Sequence, residues 1–85
     1  MKDSGRFYYV YILESAKCPG KFYTGFTEDL KQRLKDHNAS HSPHTAKFAP
    51  WRLKTYWGFS DRIKALQFEC YLKTASGRAF AAKRL

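Results

Sequence analysis

Residues Phe7-Tyr8-Tyr9-Val10-Tyr11-Ile12-Leu13 form an unbroken aromatic and aliphatic run, and no other feature constrains the fold of this chain as strongly. Aromatic and β-branched side chains in such a run favour a strand, and the run is far too short to cross a bilayer. It gives way to a polar stretch, Glu14 to Gly20, that Pro19-Gly20 closes as a turn, and strand character resumes over Lys21 to Phe26. Residues 7–26 are therefore expected to form an antiparallel β-hairpin.

Thr27 reads as the cap of a helix from about Glu28 to Asn38, with Glu28 and Asp29 at the positive end of its dipole. From Asn38 to Pro50 the chain carries Ser40, His41, Ser42, Pro43, His44 and Lys47 without periodicity, the pattern of a mobile basic loop. Trp51 to Phe59 reads as a third strand. Ser60-Asp61 then caps a helix to about Lys73, and Ser76 to Leu85 adds a short terminal helix after Gly77. The fold class expected is α+β: a small three-stranded antiparallel sheet flanked by helices, in the order β-β-α-β-α with that last helix appended. At 85 residues, 44% of them hydrophobic, the chain has the material for one core and one domain, 1–85.

Sixteen Lys and Arg stand against seven Asp and Glu, a formal charge of +9 that attracts phosphate backbones and makes nucleic acid the default partner. The same charge also serves to solvate a surface. Cys18 and Cys70 make no disulfide framework, and with neither a targeting signal nor a membrane segment the cytoplasm is the expected compartment.

Within the first helix, at about 100° per residue, Leu34 and His37 fall close to Leu30, with Arg33 just across the boundary of that stripe. Lys31 and Lys35 point elsewhere. Arg33 and His37 thus stand one above the other near the sheet, as a snorkelling arginine over a satisfied core histidine or as a functional pair. In the second long helix Ile63, Leu66 and Cys70 make an apolar stripe with Glu69 at its edge. That carboxylate either pairs with Lys73 four residues on or serves as a ligand for a hard divalent cation. Spacing leaves both readings open. His37, His41 and His44 invite a zinc site, but neither cysteine lies near, and phosphate contact suits the loop better. Trp51, Tyr56 and Trp57 have the chemistry to stack on bases, although at strand spacing core is the preferred reading for most of them.

Tyr9-Val10-Tyr11, Tyr23-Thr24-Gly25, Asp29-Leu30-x-x-Arg33-Leu34-x-x-His37 and Ala65-Leu66-x-x-Glu69 resemble, in order and spacing, the motifs of the GIY-YIG nucleases over residues 7–73. The interval from Tyr23 to Arg33 and on to His37 is the specific part. The resemblance implies phosphodiester hydrolysis with one divalent metal, Mg²⁺ or Mn²⁺. By it, Tyr23 takes a proton from the attacking water or orients it, with Tyr11 beside it, and Arg33 stabilises negative charge gathering on the phosphoryl group. His37 hydrogen-bonds the tyrosine or helps deprotonate it, and Glu69 holds the metal. A free tyrosine ionises near pH 10, so a tyrosine base requires positive charge close by. Lys31, Lys35, His41, His44, Lys47, Arg52 and Lys73 are the expected contacts to nucleic acid, DNA in the first instance.

The chain departs from the family in three places. Tyr9 replaces the first glycine, Phe26 stands where some relatives carry a lysine, and no Asn follows Glu69. The alternatives to a nuclease are a module that binds nucleic acid without cutting it, or a subunit of a larger complex that needs a protein partner.

Overall fold

The computed structural model describes residues 7–39 and 43–84. Strands β1 (Tyr8–Ser15), β2 (Phe22–Thr27) and β3 (Trp51–Phe59) form one antiparallel sheet in the order β2-β1-β3. Helices α1 (Leu30–Asn38), α2 (Pro43–Ala46), α3 (Arg62–Leu72) and α4 (Ala75–Arg84) complete the expected α+β fold.

The aromatic run becomes the central strand because it is hydrophobic on both sides of its pleat. Alternation sends Val10 and Ile12 to a cluster with Ala65, Phe68 and Leu72 of α3, and Tyr11 and Leu13 to a second cluster with Leu30 and Leu34 of α1 and with Trp51. Val10 and Leu13 are 0% and 1% exposed. Each fully buried aliphatic side chain of this kind contributes about 1.5–3 kcal/mol.

One bulge sets what the third strand shows to each face. Ile12 pairs with Thr55 but Leu13 with Leu53, so Lys54 is the extra residue. Without that slip Lys54 would oppose Leu13 on the buried face; with it Leu53 takes the slot and Lys54 is re-aimed beside Phe22, its Nζ 5.7 Å from the ring centroid.

Several expectations are corrected. The first helix is capped not by Thr27 but by Asp29, whose carboxylate accepts from the Gln32 amide, because Thr27 is still paired with Tyr9 as the last residue of β2. Glu28 and Asp29 thus precede the helix. The segment after Asn38 is not all loop: its later part forms α2, held by Trp51 Nε1 donating to the Thr45 carbonyl at 2.8 Å. Ser40, His41 and Ser42 lie outside the described residues. On α3 the inward stripe is Ala65, Phe68, Glu69 and Leu72, whereas Ile63 is 58% exposed and Cys70 is exposed. Ala65 brings the helix close to the sheet, and Phe68 packs edge-on against Trp57 at 4.7 Å between centroids. Finally, α4 begins at Ala75 and Gly77 lies within it, where a Cβ would overlap the Tyr71 carbonyl. No helix among the described residues is long and apolar enough to cross a membrane.

Candidate active site

The first and second tyrosine motifs lie side by side on the α1 face of the sheet because Tyr11 pairs with Gly25, and Leu13 with Tyr23. Gly25 is required there. The Tyr11 ring lies over it, and a Cβ at that position would collide with the Tyr11 hydroxyl. The tyrosine rings are 6.3 Å apart.

The expected α1 stripe is the one observed: Leu30 and Leu34 pack on the Tyr11 and Leu13 cluster, and His37 is 3% exposed. His37 links three elements. Its Nε2 is 3.1 Å from the Tyr11 hydroxyl, its Nδ1 is 2.8 Å from the Thr45 hydroxyl, and its ring centroid is 4.8 Å from that of Tyr23. Among the two tyrosines, therefore, the imidazole hydrogen-bonds Tyr11 and packs against Tyr23. Both ring nitrogens are engaged, which leaves no ring nitrogen free for a zinc ion.

The electrostatics set the protonation states. Burial, then the adjacent Arg33 cation, holds the His37 pKa below its ordinary value, with Asp36 opposing. The imidazole is neutral at pH 7, with one donor and one acceptor nitrogen, so the hydroxyls of Tyr11 and Thr45 are joined through it as a relay with one bond running into the ring and one out. Burial also pushes the Tyr11 phenol well above its ordinary value, helped by Tyr23 and Glu69 and opposed by Arg33. Tyr11 stays protonated and holds geometry. Arg33 itself is exposed on α1, over a shallow recess formed with Tyr11, Leu13, Leu30, Leu34 and Leu53.

A stability prediction follows for His37. Below the ordinary histidine pKa of 6.5 the unfolded chain takes up a proton that the folded imidazole refuses. The contribution is complete above pH 6.5 and is lost as pH falls from there through the folded value, at up to about 1.4 kcal/mol per pH unit. Thermal melts between pH 7.5 and 5 should decline more steeply for the wild type than for His37→Gln. Parallel curves would show that the histidine is not held neutral.

Glu69 projects inward from α3 and is close enough that its charge raises the Tyr11 pKa, but its carboxylate also meets Lys73 Nζ at 3.0 Å. The two readings of this residue are therefore both physically present. The glutamate side chain is 17% exposed and the lysine 51%, so the lysine lies nearer solvent than the carboxylate it pairs with. A single partly exposed carboxylate fits Mg²⁺, which takes one or two protein carboxylates and fills its octahedron with water and phosphate. It does not fit zinc, and no group of three or more His, Cys, Asp and Glu side chains gathers among the described residues.

Of the expected nucleic-acid contacts, Lys31 and Lys35 are exposed on the outward side of α1. Lys47 lies 5.5 Å from the centroid of the Phe48 ring, and Arg52 pairs with Glu14 at 3.5 Å. His41, like the side chain of His44, lies outside the described residues. Trp51 is buried in the cluster with Tyr11 and Leu13, Trp57 packs against the other cluster, of Val10 and Ile12, and Tyr56 is 51% exposed. Two site-building residues carried no signal in the sequence. Thr45 sits in the segment read as loop, and Asn38 binds both the amide and the carbonyl of Trp51, joining the end of α1 to the start of β3.

This sheet, its two apposed tyrosines and the Arg-His helix beside them define a small catalytic domain of the nuclease type. The model of the GIY-YIG catalytic domain matches residues 7–83, and the chain belongs to the GIY-YIG family. It is 42% identical over 67 residues to a UPF0213 protein of Lacticaseibacillus paracasei, covering 78% of this chain and 73% of that one. It is 40% identical over 70 residues to structure-specific endonuclease subunit SLX1 of Scheffersomyces stipitis, covering 74% of this chain but 21% of that protein. The chain thus spans about a fifth of the length of the SLX1 proteins it matches. The solution NMR structure of UPF0213 protein BH0048 from Bacillus halodurans superposes with a TM-score of 0.55 at 30% identity, covering 91% of this chain and 83% of that one.

Proposed function

We propose that this domain is a divalent-metal-dependent endonuclease that hydrolyses phosphodiester bonds in DNA, selecting structure rather than sequence. The observation that carries the reading is the relay of Tyr11, His37 and Thr45 with Tyr23 packed on its imidazole. It fixes two phenols beside a cation, Arg33, where a phosphate would sit. Tyr23, the phenol outside the relay, orients the attacking water and, once its own hydroxyl proton has passed to solvent, takes up the water's proton as a phenolate. The Arg33 guanidinium donates to the nonbridging oxygens as negative charge gathers there, an interaction stronger in the transition state than before it. Glu69 would hold the metal, which supplies Lewis-acid stabilisation of the leaving oxygen. The SLX1 relatives, named as structure-specific endonuclease subunits, support a preference for the structure of the substrate over its sequence, and a protein partner is compatible with that name. The free thiols of Cys18 and Cys70 fit a reducing compartment such as the cytoplasm.

The ion pair between Glu69 and Lys73 favours a second reading, a module that binds nucleic acid without cutting it and uses Glu69 to hold α3 together. Salt dependence is common to both. Metal dependence separates them: labelled duplex, single-stranded and branched DNA and RNA, incubated with purified protein in Mg²⁺, Mn²⁺ or chelator, should show cleavage of branched DNA in metal alone. Binding without cleavage on every substrate would support the second reading.

A further inference from the structure

A groove runs from Tyr23 along the α3 side of the sheet, between the hairpin end and the two C-terminal helices. Its floor is Ile12, Thr24 and Leu72, and Lys54, Lys73 and Arg78 line it with positive charge, whereas Lys21, also on its rim, turns its ammonium to the Phe48 ring at 4.9 Å. Phe22 also lines it, 49% exposed. About half of this large aromatic residue is left to solvent, and the bulge in β3 brings Lys54 to its ring. An aromatic face with a cation beside it matches one nucleotide, base and phosphate together.

We propose that this groove holds a single-stranded segment of the nucleic acid, with one unpaired base stacked on Phe22 and the backbone following Lys54, Arg78 and Lys73 toward Glu69. This inference rests on the nuclease reading and adds the location of an unpaired arm. Single-stranded rather than duplex nucleic acid is the occupant because an exposed ring at the strand end requires a base whose face is free, whereas a duplex presents only phosphates to such a groove. The groove reaches the candidate site at Glu69, which pairs with Lys73 on the groove wall; the Tyr23 ring lies on the opposite, α1 face of the sheet.

The test is binding in chelator, independent of cleavage, by fluorescence anisotropy with a labelled oligothymidylate and a fully paired hairpin of equal charge. Phe22→Ala should weaken the single strand about tenfold and leave the hairpin unchanged, and Phe22→Trp should restore single-strand affinity. Arg78→Gln should lower the slope of log affinity against log salt for the single strand by about 0.7, whereas Lys64→Gln, on the exposed side of α3, should not. Thermal melting equal to wild type certifies the fold of each variant. Unchanged single-strand affinity in Phe22→Ala, or equal losses on single strand and hairpin, would overturn the proposal. Because none of these readouts needs turnover, an inactive wild type would refute the nuclease reading while leaving this result interpretable.

Discussion

Arg33→Ala is expected to lower the cleavage rate by about 10²–10³-fold while leaving the melting temperature close to that of wild type. The guanidinium is exposed on α1, and alanine is the best helix former, so the fold has little to lose. The reaction loses its fixed cation. Arg33→Lys should recover only part of the rate, because an ammonium cannot reproduce the planar fork that meets two phosphate oxygens at once. A further consequence is visible without substrate. Arg33 is one of the causes that hold the His37 pKa down, so in the alanine variant the imidazole should titrate at higher pH by NMR. A variant that cuts at the wild-type rate would remove Arg33 from the chemistry, and one that loses rate only through unfolding would return it to the role of a packing residue.

The second large effect is expected at Gly25. An alanine there drives its methyl group into the Tyr11 hydroxyl, and Tyr11 cannot swing aside easily because it is 2% exposed and bonded to His37. Overpacking of this kind costs about 1–3 kcal/mol, which in a domain of this size lowers the melting temperature by roughly 4–8 °C per kcal/mol. Displacing Tyr11 by about 1 Å should cost on the order of 10²-fold in rate. Combining Gly25→Ala with Tyr11→Phe removes the atom that collides first, so part of the stability should return. The activity should not return with it, because the relay through His37 is gone. Wild-type melting and turnover in Gly25→Ala would mean that the tyrosine relaxes without consequence.

The two predictions concern parts of the molecule that differed in how openly the sequence displayed them. The hairpin was legible because strand and turn preferences are local: the run from Phe7 to Leu13 and the Pro19-Gly20 turn specify it without reference to anything distant. The face of α1 was legible for the same reason, since Leu30, Leu34 and His37 repeat at helical spacing. The face of α3 was not. Ile63, Leu66 and Cys70 are the more hydrophobic stripe by residue type, yet the sheet packs against Ala65, Phe68 and Leu72, where a small residue allows close approach and an aromatic ring meets Trp57. Choice of face was decided by shape complementarity, which a periodicity cannot carry. That rotation brings Glu69 from the edge of the stripe into the inward face.

The remaining parts of the site depend on tertiary contacts with no sequence period. Thr45 lies eight residues from His37 on another element, and its hydroxyl completes the relay only because Trp51 holds the α2 backbone in place. Lys54 belongs to the groove rather than the core through a one-residue slip in pairing. The resemblance to the GIY-YIG family named the five residues Tyr11, Tyr23, Arg33, His37 and Glu69. The folded chain then assigns the hydrogen-bond partner of His37 to Tyr11 and leaves the ring of Tyr23 tilted beside it at 4.8 Å, the arrangement on which the proposed division of roles between the two phenols rests.

The most direct test of the account is a single-turnover cleavage assay on branched DNA in Mg²⁺, with wild type, Tyr23→Phe and Glu69→Gln purified side by side. The account predicts cutting by wild type that chelator abolishes, and losses of about 10²-fold or more in both variants. Equal cutting by all three proteins would assign the activity to something other than this site and contradict the account.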